Sequence, residues 1–126
     1  VQADLRAEAL PPSLTDALFD AVILDVPCSN TGVLRRRPDA RWRFTSERLQ
    51  KTVTLQRTLL DRTGSLVRPG GRLIYSTCSL EPEENEEQVR AWLQAHPEFR
   101  KTESRLLFPP ETETDGAFAV RLEKHA

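Results

Sequence analysis

Ala21-Val22-Ile23-Leu24-Asp25-Val26-Pro27-Cys28-Ser29-Asn30-Thr31-Gly32 is the stretch on which the reading of the fold turns. A short apolar run bounded by polar and turn-forming residues reads as a strand, and this one runs from Phe19 to Leu24 and stops at Asp25. The arrangement recurs downstream, where Arg72-Leu73-Ile74-Tyr75 leads into Ser76-Thr77-Cys78-Ser79. Both thiols therefore fall just past the carboxyl ends of strands expected to be buried, where open α/β sheets place their chemistry. Two thiols and Asp25 are expected to face one cleft.

Outward from these motifs, Val1 to Ala3 reads as a short strand or strand end closing on Asp4, followed by a polar connector with Pro11, Pro12 and Ser13. Residues 25 to 44 read as a long irregular loop, a feature that is uncommon in a compact domain and usually functional. Thr45 or Ser46 can cap a helix in which Leu49, Val53, Leu59, Leu60, Leu66 and Val67 recur at helical spacing, with Pro69-Gly70-Gly71 ending it. Pro82 suits the first position of a further helix, with acidic residues in its first turn and Val89, Trp92 and Leu93 on its buried face. Two closing strands, Arg105 to Phe108 and Ala117 to Leu122, are expected around a Pro- and Thr-rich loop that ends in Asp115-Gly116. Strand, helix, strand, helix and a strand pair is the order of a doubly wound α/β sheet lacking its first half.

A chain of 126 residues with 38% hydrophobic content supports one modest core. It begins at Val1 and contains no Met, so it reads as a piece of something longer. No apolar run approaches the roughly 18 residues of a membrane span, and no charged-then-apolar leader is present, so a soluble segment is expected. The net charge of −1 hides an uneven distribution. Arg35, Arg36, Arg37, Arg41, Arg43 and Arg48 crowd the stretch after the first cysteine motif, whereas Glu81, Glu83, Glu84, Glu86 and Glu87 follow the second. Only two cysteines occur, which argues for a reducing, cytoplasmic setting over a disulfide framework. His96 and His125 have no partner at ligand spacing, so no metal site is expected. No Gly-x-Gly-x-x-Gly loop is present, and the main cradle of a nucleotide-like cofactor is expected upstream of Val1.

Taken together, Asp25-Val26-Pro27-Cys28-Ser29-x-Thr31-Gly32, Arg36-Arg37-Pro38-Asp39 with Arg41-Trp42, and Tyr75-Ser76-Thr77-Cys78-Ser79 followed by Pro82-Glu83-Glu84-Asn85-Glu86 resemble the RNA cytosine-C5 methyltransferase family. Within it the chain is most similar to the bacterial 16S ribosomal RNA type. Asp115-Gly116-Ala117-Phe118 to Leu122-x-Lys124 is similar to the family's last strands. The chain departs from the family pattern at Asn30, often Gly there, and at Val26, more usually Ala. The resemblance implies the C-terminal half of a Rossmann-like class I S-adenosylmethionine-dependent methyltransferase fold. Residues 1–126 would be the C-terminal portion of the catalytic domain, with the glycine-rich cofactor loop upstream. The segment alone is then expected to bind no cofactor in the micromolar range and to transfer no methyl group.

Cytosine C5 is a poor nucleophile, and adding a thiolate to C6 turns the ring into an enamine able to attack the methyl group of S-adenosyl-L-methionine. The resemblance assigns that attack to Cys78 and product release to Cys28. It places Asp25 at the pyrimidine edge and near the cofactor, and it matches Asp4 to the family's acidic residue near the cofactor adenine. Ribosomal RNA is the implied partner, with Arg35, Arg36, Arg37 and Arg41 as candidates for phosphate contact.

Plainer readings stand beside these. A free cysteine is commonly a small buried apolar residue, Asp25 could cap its loop, and an arginine run is often a solvated face. Trp42 could be core or a stacking platform, and Asn85 could brace the second cysteine loop. A DNA-type cytosine-C5 methyltransferase would use Cys28 as nucleophile, but this chain has no Glu-Asn-Val. An amino-group methyltransferase would carry Asn or Asp before Pro-Pro and an aromatic residue, which Val26 and Cys28 fit badly. From a different class, the segment could be a non-catalytic RNA-binding or assembly module.

Overall fold

The computed structural model describes all 126 residues. Four strands form one mixed sheet: β1 (Phe19–Asp25), β2 (Val67–Thr77), β3 (Phe99–Leu107) and β4 (Ala117–Lys124), in the order β1-β2-β4-β3. β1 and β2 run parallel, and β4 is antiparallel to both its neighbours. Five helices accompany them: α1 (Pro12–Thr15), α2 (Asp39–Arg43), α3 (Ser46–Ser65), α4 (Glu86–Ala95) and α5 (Pro109–Thr112).

The two-residue side-chain period of a strand sorts the sheet into two unlike faces. Register places Leu24 beside Tyr75 and Tyr75 beside Val120, with Leu73 beside Leu122, and all five are buried. α3 and α4 cover this face with Leu59, Leu60, Val89 and Trp92. Thr45 caps α3 by accepting the Arg48 amide at 3.2 Å. Trp92 is fully buried core, as its spacing predicts, and its indole N–H donates to Asp61 Oδ1 at 2.8 Å, tying α4 to α3.

The other face carries Ile23, Ile74 and Arg121 side by side, and Ile23 is 76% exposed. A doubly wound sheet has helices on both faces. This chain supplies them on one only. Hence β1, expected to be buried, is an edge strand in which Leu24 alone is buried.

Other boundaries differ for similar reasons. Val1 to Ala3 is irregular and pairs with no strand. α3 stops at Ser65 because Val67 is captured by pairing with Phe19, so Pro69-Gly70-Gly71 lies inside β2, where the register slips and Gly70 has φ +74°. β3 starts at Phe99, well before Arg105, and its exposed edge shows no apolar alternation to read. The loop after β1 contains a 3-10 turn, Thr31–Val33, as well as α2. Pro82 opens a separate 3-10 turn, and α4 begins only at Glu86.

Candidate active site

Parallel pairing brings the carboxyl ends of β1 and β2 together, with Asp25 opposite Ser76. The chain keeps this alignment past the strands, since the Val26 amide donates to the Ser76 carbonyl at 3.1 Å. Cys28 Sγ and Cys78 Sγ consequently lie 3.2 Å apart and share a hydrogen bond. Asp25 Oδ1 accepts from Ser76 Oγ at 2.9 Å. An open cleft lined by Asp25, Cys28, Asn30, Ser76, Cys78 and Phe118 gathers the two thiols and the carboxylate, as the motifs predict.

Asp4 does not join them. It is exposed, absent from the cleft lining, and engaged by Arg6 through the guanidinium at 2.8 and 3.0 Å and the backbone amide at 2.9 Å. The guanidinium hydrogen bond, aided by the amide, pulls the Asp4 carboxyl down to about 2.

Asn30 takes φ +61°, in the left-handed region where glycine is free of strain and asparagine is the best-tolerated substitute. That explains how Asn stands where the family often has Gly. The side chain adds something glycine lacks: Oδ1 accepts from Cys78 Sγ at 3.0 Å, and Nδ2 donates to the Cys28 carbonyl at 3.1 Å. Beyond it, the Gly32 amide donates to the Cys78 carbonyl at 3.0 Å, and the Gly32 carbonyl accepts from the Gly116 amide at 2.7 Å. A Cβ on Gly32 would stand 2.5 Å from the Gly116 carbonyl oxygen. The first cysteine loop, the second and the start of β4 therefore meet at a point that admits no side chain.

Glu84 is the residue that sequence reasoning missed. It is fully buried, and its carboxylate accepts from the Ser29 amide at 2.8 Å, Ser29 Oγ at 2.6 Å, Gln56 Nε2 at 3.1 Å and the Ser79 hydroxyl. Ser29 follows Cys28 and Ser79 follows Cys78, so one carboxylate ties both cysteine loops to α3. Gln56, also fully buried, reaches the Pro27 carbonyl at 3.0 Å. Asn85 braces the second loop as anticipated, accepting from Thr77 Oγ1 at 2.6 Å and donating to the Ser79 carbonyl at 2.8 Å. The Tyr75 hydroxyl donates to the Glu84 carbonyl at 2.7 Å, and burial followed by the nearby Glu84 charge raises its pKa. In sequence Glu84 is one of five clustered glutamates, and only the return of the Pro82–Glu84 turn against the Cys28 loop distinguishes it.

Burial, reinforced by the hydrogen bond with Cys78, pushes the Cys28 thiol up from its ordinary value. Ionisation at Cys28 is disfavoured.

The arginines divide. Arg36 is paired with Asp115 at 2.7 Å, and Arg35 lines a separate depression beside Gly32. The Arg41 guanidinium lies 5.9 Å from the Trp42 ring, which is 83% exposed and therefore not core. Only Arg37 of the four candidates lines the cavity that opens at Cys28, together with Arg43 and Arg48. No group of three or more His, Cys, Asp or Glu side chains is placed to share a metal ion, and no helix is long and apolar enough to cross a membrane.

The chain has recognisable relatives. The chain is 40% identical over 112 residues to ribosomal RNA small subunit methyltransferase B of Vibrio cholerae, covering 84% of this chain and 26% of that protein. Its counterpart in Cronobacter sakazakii is 41% identical over 113 residues, again covering 84% and 26%. The chain thus spans about a quarter of the length of these curated relatives. Among solved structures, NSun6 from Pyrococcus horikoshii with SFG superposes with a TM-score of 0.81 at 28% identity, covering 100% of this chain and 34% of that one. A methyltransferase homologue from the same organism gives 0.73 at 29%, covering 86% and 40%. The mixed sheet is accordingly part of a Rossmann-like methyltransferase fold. The family model described as 16S rRNA methyltransferase RsmB/F matches residues 1–123, and the chain belongs to that family.

Proposed function

We propose that this chain carries the catalytic thiols of an S-adenosylmethionine-dependent RNA cytosine-C5 methyltransferase acting on small-subunit ribosomal RNA. The observation that carries the reading is the 3.2 Å approach of Cys28 and Cys78 at the ends of adjacent parallel strands, with Asp25 lining the same cleft.

Cys78 Sγ, its proton lost to solvent, adds to C6 of the target cytosine, so that the electrons of the C5=C6 bond become available at C5. Asp25, on the open face of the sheet, accepts a hydrogen bond from the exocyclic amino group of the pyrimidine edge and orients the ring for that addition. S-adenosyl-L-methionine, when bound, would supply the methyl group for C5, its S–CH3 bond breaking so that S-adenosylhomocysteine leaves. Water held against the Cys28 thiol then takes the C5 proton, which restores the C5=C6 double bond and expels the Cys78 sulfur as thiolate. The assignment of attack to Cys78 follows the resemblance of its Thr77-Cys78-Ser79 motif at the end of β2. For the cofactor, the residues present offer a largely apolar cleft at the strand ends, with Asp25 and Ser76 as its polar wall and Pro27, Ala117 and Ala119 as its apolar surface.

The test uses the complete gene product and RNA containing 5-fluorocytidine, whose C5 fluorine blocks release. Cys78→Ala abolishes methyl transfer and the covalent adduct. Cys28→Ala accumulates enzyme bound to unmodified RNA as a complex that survives denaturing gels. An adduct that persists in Cys78→Ala and vanishes in Cys28→Ala reverses the assignment in favour of the DNA-type mechanism.

A further inference from the structure

The cavity beside Cys28 differs chemically from the thiol cleft. It measures about 220 Å³, its walls carry Arg37, Arg43 and Arg48, and its floor is the buried Ala40 and Leu49. Three guanidiniums there face one carboxylate. Asp39 stands 3.5 Å from both Arg37 Nε and Arg43 NH1, too far for the short geometry of a charge-assisted hydrogen bond. Arg48 spends one donor on the Arg43 carbonyl at 3.2 Å. Each guanidinium has five N–H donors, so most remain for a further anion. The space among these guanidiniums admits a phosphodiester group.

Between Arg41 and Arg43, α2 also presents Trp42, 83% exposed. An indole left in water forgoes the large burial a core tryptophan gains. Arginine donors and an exposed aromatic ring carried on one short helix are the two ingredients of single-stranded nucleic-acid binding, the cations tracking phosphate and the ring stacking a base.

Building on the RNA substrate argued above, we propose that this cavity and Trp42 form a subsite for the nucleotide adjoining the target cytidine. The linking phosphate enters between Arg37, Arg43 and Arg48, and the neighbouring base stacks on Trp42. Because the cavity opens at Cys28, a phosphate held there borders the nucleotide whose base occupies the thiol cleft. Stacking requires that neighbour to be unpaired, so the substrate offers at least two consecutive nucleotides free of pairing. Arg36, already engaged by Asp115, is left out of the contact.

The test measures binding of the complete gene product to a short single-stranded RNA between 50 and 200 mM salt, the range over which counterion release is conspicuous. Arg43→Gln with Arg48→Gln lowers the slope of log affinity on log salt by about 0.7, the value for one phosphate on a single strand. Arg100→Gln, on the distant β3, leaves it unchanged. Trp42→Ala weakens binding about tenfold, and Trp42→Phe recovers most of the loss. An abasic residue on one side of the target weakens wild type to the level of Trp42→Ala and weakens that variant no further. Wild-type salt slope in the arginine pair, or additive losses from Trp42→Ala and the abasic residue on either side, overturns the subsite. Adduct formation on 5-fluorocytidine RNA by the wild type reports separately on the methyltransferase reading, which can fail or stand whichever way these shifts fall.

Discussion

Replacing Glu84 separates the two jobs one buried carboxylate does, holding the loops in place and holding the thiols together. In Glu84→Ala, Gln56 Nε2 keeps the Pro27 carbonyl at 3.0 Å, and the Ser29 and Ser79 hydroxyls keep each other at 3.1 Å. The Ser29 amide has no second acceptor. An orphaned buried N–H costs about 1–3 kcal/mol, and the vacated side-chain volume adds to it, so the expected loss is about 2–4 kcal/mol. Glu84→Gln keeps the shape and one carbonyl oxygen, and its NH₂ can donate to hydroxyls that rotate to accept. It loses only the charge-assisted increment, about 1 kcal/mol. Chemical denaturation reads both values. With the loops released, the adduct rate on 5-fluorocytidine RNA falls at least tenfold in Glu84→Ala and recovers substantially in Glu84→Gln. A Glu84→Ala protein as stable as wild type, forming adduct at the wild-type rate, refutes the view that this carboxylate sets the thiol geometry.

Gly32→Ala forces a methyl group to 2.5 Å from the Gly116 carbonyl oxygen, so a destabilisation of about 2 kcal/mol or more is expected in a denaturant melt, with adduct formation lost at the same time. Asn30→Gly tolerates the φ of +61° and stays within about 1 kcal/mol of wild type, while Asn30→Val costs about 1–2 kcal/mol more by the left-handed backbone penalty, measured in the same way. The Cys28 thiol, raised by burial, also predicts an alkaline effect. Below the unfolded thiol's value both states are protonated and stability is unaffected; above about pH 8.5 the unfolded chain sheds its proton while the folded one keeps it, so stability falls as pH climbs toward the folded value. Melting curves from pH 8 to 11 should show that decline in wild type and a shallower one in Cys28→Ser, and equal slopes would remove burial at Cys28 as the cause.

The motifs and the core strands were legible because local chemistry writes them. Pro-Cys and Thr-Cys after apolar runs locate the strand ends, and parallel pairing then makes the two thiols neighbours. Trp92 could be assigned to the core from helical spacing alone. What stayed hidden depends on partners far along the chain. Glu84 and Gln56 are polar residues that a period count discards, yet they are fully buried, since each satisfies groups presented by the Cys28 loop. Val67 fits the helical period of α3 but gains more by pairing with Phe19, and no local signal ranks those two options. Likewise Ile23 belongs to an apolar run that reads as buried, and it lies open because burial needs a second layer as well as an apolar side chain.

That open layer bears on how the site is held. Asp25 and Ser76 lie on the same uncovered face as Ile23 and Ile74 at the strand ends, whereas the Glu84 network that fixes the cysteine loops lies on the covered side, against α3 and α4. The two thiols sit where these sides meet. Their spacing is therefore set by contacts wholly within this chain, through Glu84, Asn85, Asn30 and the Gly32–Gly116 approach. Substitutions on the covered side act on the thiol pair through loop geometry. Changes at Asp25 or Ser76 act on whatever occupies the open cleft, and so leave the spacing of the sulfurs intact.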